Sequence, residues 1–365
     1  MPTENNKKNN MTDTLALHSV IETPADWRAA EMAARKDWIH ELTGDEVAEL
    51  RAALAHVKAL EKTLATMTRD DFPLPTLSAL LGHCRAFLED GAGLFLIRGF
   101  PAAEYSKGDL RLLYWGLGKY MGTAVSQSSK GDILGDVRNM NVDMNGPNGR
   151  GYTSNQKLTY HTDSCDVVGL FVLRTARSGG LSMIASSVAV HNEIARIRPD
   201  LLEVLYQPFY WSWQSQEVPG TTPYYQQPIF NQHKGKFSCR YVRTHIISAQ
   251  RFEEVPRLTP QQEEAMALFD RLAGSQEFHL SMMFNPGDIQ FLNNHVTVHS
   301  RTAFDDYDEA EKKRHLLRMW MSVPNSRELS AGMHTIYQDQ SAGAVRGGFP
   351  SRTGKLIYET VGSLE

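Results

Sequence analysis

Residues 158–166 read LTYHTDSCD, and two of their side chains decide how the rest of the chain is read. His161 and Asp163 are an imidazole and a carboxylate two residues apart. In a strand, residues i and i+2 project from one face, so this pair can close on a single metal ion. With a second His from a distant segment it becomes the two-histidine, one-carboxylate face that leaves coordination positions open on a non-haem iron(II). Alone the dyad is weak, because a strand-end His that hydrogen-bonds and an Asp that caps a turn have the same letters.

Directly upstream, residues 139–156 (NMNVDMNGPNGRGYTSNQ) form a long Gly- and Asn-rich stretch leading into the dyad. Long loops beside a candidate site are often lids or substrate loops, which makes Arg150, Tyr152 and Asn155 candidate substrate contacts. From Gly122 onward short apolar runs alternate with turn residues, as in an antiparallel β architecture. The runs are 167–173, 181–184, 237–242, 289–292 and 315–323. Two helices interrupt them, at 188–205 and from Thr259. At the second, Thr259 as N-cap, Pro260 at N1 and Gln262 make a capping box.

The expected division is a disordered polar tail over 1–20, an N-terminal helical region over 21–90, and a β-rich domain with helical insertions over 91–365. Within 21–90, Trp27, Met32, Trp38 and Ile39 suggest one amphipathic helix. TGDEVAELRAALAHVKALEKTL (43–64) is a second, capped by Thr43 and Glu46, and 76–88 a third. Residues 94–97 read as a strand and 110–120 as a further helix. These first helices suit either a buttress for the β domain or an interface of a homo-oligomer.

With 365 residues, 41% hydrophobic and 22% charged, the chain can bury a sizeable core. A net charge of -4 gives no case for nucleic acid or an anionic membrane as partner. The three cysteines, Cys84, Cys165 and Cys239, are too scattered for a disulfide framework or a zinc ribbon, and a cytoplasmic setting is expected. The opening MPTENNKKNN has no apolar core of a secretory signal, and no run of 18 apolar residues follows.

The distal ligand is sought in PGDIQFLNNHVTVHSR (286–301), where a Pro-Gly-Asp turn launches a strand ending at Asn293-Asn294. His295 and His299 follow, and on the residues alone either could serve. Four blocks now resemble the taurine dioxygenase-like (clavaminate synthase-like) family of iron(II)/2-oxoglutarate oxygenases. They are YHTD at 160–163, SGGLS at 178–182, NN-x4-H-x-R at 293–301 and RHLLRMW at 314–320, in family order across roughly 155–325. The resemblance implies an α+β fold, a double-stranded β-helix core flanked by helices, with iron(II), 2-oxoglutarate and O2 as cofactors. It implies His161, Asp163 and His299 as metal ligands, the last because the family's distal His falls five residues after the Asn. His295 is then a residue that shapes the site.

The co-substrate's C5 carboxylate needs a cation, and Arg offers a planar fork that stays charged. The family's binder ends the block matching KRHLLR, which selects Arg318. The insertion DDYDEAEK (305–312) lengthens the gap from His299 and leaves Arg314 as a second candidate. The hydroxyl partner, two residues after the Gly-Gly pair, is Ser182. Zinc hydrolysis uses similar ligands but leaves Arg318 and Ser182 without a role. Related halogenases usually lack the carboxylate that Asp163 supplies.

The implied reaction is oxidation of a C–H bond, most simply hydroxylation, in a small carboxylate or amino-acid-like substrate, with release of succinate and CO2. Desaturation, epoxidation or ring closure would use the same cofactors. A non-catalytic metal-binding β-barrel is the alternative of another class. Arg138, Arg150, Arg240 and Arg243 are candidate cations for a substrate anion, the last two expected on a strand with Cys239. The rings of Phe209, Tyr210, Trp211, Trp213, Tyr224 and Tyr225 are a candidate pocket wall, able in principle to hold a quaternary ammonium, with core packing the reading favoured over it.

Overall fold

The computed structural model describes residues 20–140 and 154–359. The expected tail lies outside the described residues, as does the part of the loop carrying Arg150 and Tyr152. Strands run, in order, β1 Ile39–Glu41, β2 Leu94–Arg98, β3 Thr123–Val125, β4 Leu134–Val137, β5 Leu158–His161, β6 Val167–Arg174, β7 Ser178–Gly179 and β8 Ser182–Ser186. They continue as β9 Pro208–Ser212, β10 Tyr224–Pro228, β11 Phe230–His233, β12 Lys236–Cys239, β13 His279–Met282, β14 Ile289–Asn293, β15 Thr297–Arg301, β16 Phe304–Asp305 and β17 His315–Ser322. The large sheet is ordered β1-β2-β14-β6-β17-β3, with β4 also on β17, and the small one β13-β8-β15-β5. All these pairings are antiparallel except β1 with β2. The two sheets form a double-stranded β-helix with helices outside.

The large sheet is apolar on both faces, which is why its strands read as continuous hydrophobic runs. Phe95 and Ile97 of β2 join Phe171, Leu317, Met319 and Met321 in a core shared with the helices. Their alternates Leu94, Leu96, Val168, Val172, Leu316 and Trp320 form the interior between the sheets. The period-2 alternation of strand side chains accounts for the split. The helices Gly44–Ala59, Leu77–Asp90 and Lys107–Met121 bury Leu54, Val57, Leu81, Leu88, Leu113 and Leu117 in the first core. Thr43 and Glu46, and Thr259 and Gln262, make the expected capping boxes.

Three segments differ from expectation. Ile39 lies in β1 because the first helix, Ala29–Ala34, stops short of it. The 188–205 helix is two, Ser187–Ile197 and Pro199–Leu205, with Arg198 at φ −148, ψ 66 between them. A residue before proline is pushed out of the helical region, and here that divides the helix. The strand through Cys239 ends there, so Arg240 follows it and Arg243 opens the helix Arg243–Ala249. Among the described residues no helix is long and apolar enough to cross a membrane.

Candidate active site

The small sheet carries the dyad and the distal histidine on one face. In the β15 register His299 stands opposite His161 of β5 and Ile184 of β8. Ile184 points into the space between the sheets, and directly opposed residues share a face. Asp163, just beyond β5, completes a group whose donor atoms all lie within 4.8 Å of one another. His299 Nε2 is 3.7 Å from Asp163 Oδ2, and the two imidazole centroids are 4.4 Å apart.

All three donors stand in the protonation state that metal binding would require. His161 Nδ1 lies 2.8 Å from the Thr159 carbonyl, so that nitrogen carries the proton and Nε2 keeps its lone pair. Burial holds both imidazoles neutral, His161 below its ordinary value and His299 down to about 3. Burial alone would raise the Asp163 carboxyl, but the Arg318 guanidinium beside it holds it below the usual range. Asp163 Oδ2 is buried with no hydrogen-bond partner, an acceptor facing the histidines. Two neutral imidazoles, an ionised carboxylate and an orphaned oxygen fit a divalent metal.

Behind the ligands the Asn pair acts through its side chains. Asn294 Oδ1 accepts from the Asp163 N–H at 2.9 Å, while Asn293 Nδ2 donates to the Leu88 carbonyl at 2.8 Å. His295 is outside the group; its Nε2 meets Asp166 Oδ1 at 2.9 Å, deep in the core. Arg240 is also buried and donates to the Thr162 carbonyl and Ser164 Oγ, clasping the turn around Asp163. It lies inside the protein as a brace rather than as a cation open to a ligand.

The two candidate arginines have different surroundings. Arg318 sits at the ligands: Nη1 is 3.6 Å from Asp163 Oδ1, and Nε donates to Gln127 Oε1 at 2.8 Å. Its guanidinium lies 5.1 Å from the ring centroid of Trp320, whose indole N–H faces the same carboxylate. Arg314 lies instead against Gly180 of the Gly-Gly turn, with Nη1 buried and unpartnered. Arg301 also has a buried, unpartnered Nη1, and the two guanidiniums lie 4.6 and 5.1 Å from the Phe304 ring. Burial pushes Arg301 down to about 10, and burial with repulsion from Arg301 pushes Arg314 to about 9. A guanidinium keeps its charge at any working pH, so two buried positive charges lie close together here. Ser182 is opposite Arg301 in the register, and its hydroxyl is 3.4 Å from Gln290 Oε1 across the sheets.

The remaining candidates are placed away from the ligands or in the core. Trp211 is fully buried and its Nε1 donates to the Gln227 carbonyl, so it packs the core instead of lining a pocket. Arg243 is neutralised by Asp270 at 2.5 Å. Asn155 is exposed, and its carbonyl accepts from the Phe304 N–H. Phe209 and Tyr225 are buried, while Tyr210 and Tyr224 face each other across the β9–β10 pair. Arg138, after β4, acts electrostatically on Arg174 and His315. Sequence reasoning missed Gln127 and Arg346, which no motif marks, and gave no role to Asp166, Arg301 and Trp320, although all three stand inside the stretches quoted above.

The model of the taurine catabolism dioxygenase TauD, TfdA family matches residues 56–320, and the chain belongs to that family. FR-33289 synthase of Streptomyces rubellomurinus is 30% identical over 315 residues, spanning 85% of this chain and 92% of that one. Among solved structures, an asparagine oxygenase with Fe(II), 2S,3S-3-hydroxyasparagine and succinate superposes with TM-score 0.60 at 15% identity, covering 78% of this chain and 93% of that one. The oxygenase OrfP, with Fe and alpha-ketoglutaric acid, gives 0.59 at 16%, with 78% and 93% covered. The protein is therefore an iron(II)- and 2-oxoglutarate-dependent dioxygenase, with O2 as its oxidant.

Proposed function

We propose that His161, Asp163 and His299 hold the iron, and that the protein oxidises a C–H bond of a small carboxylate or amino acid, most simply by hydroxylation. The carrying observation is the convergence of the three donor groups within 4.8 Å around the unpartnered Asp163 oxygen. Bound there, iron(II) with 2-oxoglutarate and O2 supplies the oxidation, coupled to decarboxylation of 2-oxoglutarate to succinate. The relatives solved with hydroxylated amino acids support the substrate class. The free, buried cysteines support a reducing, cytoplasmic setting.

The protein's own residues divide the remaining work. Arg314, with Arg301 beside it, anchors the C5 carboxylate of 2-oxoglutarate. Two buried cations facing one nearby carboxylate, Asp306, leave one positive charge for an anion to neutralise. Arg301 is two residues along β15 from His299, about 7 Å, a span suited to a five-carbon diacid. Ser182 offers its hydroxyl to the same carboxylate. This reverses the order expected from the motif, in which Arg318 came first. Arg318 is held at the metal ligands by Asp163 and Gln127, where it orients Asp163 and presents a cation to the substrate's acid group. Trp320 beside it excludes water from that side.

The test is anaerobic addition of iron(II) and 2-oxoglutarate, followed by a screen of small acids and amino acids for substrate-stimulated succinate release with mass detection of the product. A visible absorption band that needs both additions, and is lost in Asp163→Ala, supports the site. Its absence in the wild type returns the protein to a non-catalytic metal-binding role.

A further inference from the structure

The family match ends at residue 320, yet the chain beyond it turns back to the metal ligands. We propose that the run 346–349 is a working part of the centre, with Arg346 a positioning residue for the turn that carries Asp163. The proposal rests on the reading that His161, Asp163 and His299 hold the metal.

Arg346 is fully buried, and its Nε donates to Asp166 Oδ1 at 2.9 Å. That carboxylate oxygen also meets His295 Nε2, and Asn294 N–H donates to the Asp166 carbonyl at 2.9 Å. Asp166 thus joins the ligand turn to the Asn pair, and Asn294 in turn holds the Asp163 backbone. Arg346 supplies the charge that keeps this buried carboxylate paired. Removing one partner of a buried pair is far more disruptive than lacking both. Further bonds fix Arg346 itself: its N–H donates to Ser322 Oγ at 2.8 Å, the Ser322 hydroxyl donates to its carbonyl at 2.5 Å, and Nη2 donates to the Arg327 carbonyl at 2.7 Å.

The next three residues extend the tie. Gly348 N–H donates to the Ser164 carbonyl at 2.6 Å, one residue past Asp163. Phe349 N–H donates to the Ser126 carbonyl at 2.9 Å, one residue before Gln127, the partner of Arg318. The segment therefore pins the ligand turn to the loop that holds Arg318. It passes between them only because positions 347 and 348 are glycine. Their φ values are +77° and +70°, and an added Cβ would lie 2.7 Å from the Ser164 oxygen or 2.6 Å from the Ser126 oxygen. The Phe349 ring then packs 5.9 Å from Trp320 and 6.4 Å from Trp213, backing the indole that faces Asp163.

The experiment measures iron(II) affinity of the apo full-length protein, by metal-dependent thermal shift, together with the anaerobic absorption band with 2-oxoglutarate. The variants are Arg346→Gln, Arg346→Lys and Ser322→Ala, with Asp163→Ala as reference. An outer-shell partner is worth about 10- to 100-fold in metal affinity. Arg346→Gln should weaken iron(II) binding at least about tenfold on that scale, Arg346→Lys should recover part of it, and Ser322→Ala should weaken it severalfold. Ser322→Ala deletes only one hydroxyl, so it carries the test if the Arg346 variants do not fold. Folded variants that melt earlier but bind iron(II) as the wild type does, with an unchanged band, overturn the positioning role. If the wild type binds no more iron(II) than Asp163→Ala, the metal reading itself falls.

Discussion

Arg314 and Arg318 are four residues apart, the first just before β17 and the second within it, and their surroundings could hardly differ more. Arg318 is satisfied within the protein: Asp163, Gln127 and the Trp320 ring all engage it. Arg314 is buried beside a second cation with one nitrogen unpartnered, and among the described residues no carboxylate pairs with its side chain within ion-pair distance. A buried charge without a partner is costly, and such a group persists where a ligand will neutralise it. The contrast is the basis for the proposed roles, Arg318 serving the metal-binding group and Arg314 an anion, although both stand in the same motif.

The sharpest way to test this contrast is to remove the carboxylate that Arg318 engages. Asp163→Ala should lower substrate-coupled succinate formation by more than the roughly 100-fold expected for an outer-shell residue, as measured by mass detection. Retention of a tenth of the activity would remove Asp163 from the ligand set. Next, Arg314→Ala should raise the KM for 2-oxoglutarate by about 30- to 100-fold, since truncating one side of a buried charge pair costs at least 2 kcal/mol. The substrate KM should move little. Arg318→Ala should do the opposite, and steady-state kinetics varying each substrate in turn would decide. If Arg318→Ala carries the 2-oxoglutarate defect, the assignment of the two arginines is inverted.

Two smaller effects follow. His295→Gln should lower activity less than His299→Gln does, because His295 contacts Asp166 and not the metal group. Equal loss in both would place His295 among the ligands. Stability should also fall with acidification. Burial holds His191 and His295 at about 4 in the folded protein, against an ordinary value of 6.5. A depressed histidine is neutral in the native state, while the unfolded chain takes up a proton as pH falls below 6.5. The stabilisation is therefore complete above pH 6.5 and declines toward pH 4, by an amount on the order of 3 kcal/mol for each group. Thermal melts across pH 4.5 to 7.5 should show Tm dropping on the acid side; a rise would contradict the buried, neutral assignment.

Much of this organisation is legible in the sequence. Alternating apolar runs announced the strands, and the capping boxes at Thr43 and Thr259 placed two helix starts, because both signals are local. The two side chains of HxD do meet, but Asp163 lies just beyond β5, so the turn and not strand alternation brings it to His161. The break at Arg198 is also local, since it is the residue before Pro199. The aromatic run around Trp211 was ambiguous from the outset, since burial and pocket-lining select the same residues; full burial settled it.

The sequence alone determined the chemistry on offer: two imidazoles, a carboxylate, and arginines suited to carboxylates, in the order of the TauD, TfdA family. It did so because ligand identity and strand periodicity are properties of the chain itself. Only the tertiary structure decided which arginine has a partner and which lacks one. Likewise it alone gathered Gln127, Trp320 and Arg346 around the Asp163 turn, from positions as far as 183 residues from Asp163. Desolvation and pairing depend on neighbours gathered from both sheets, and no spacing along the chain records them.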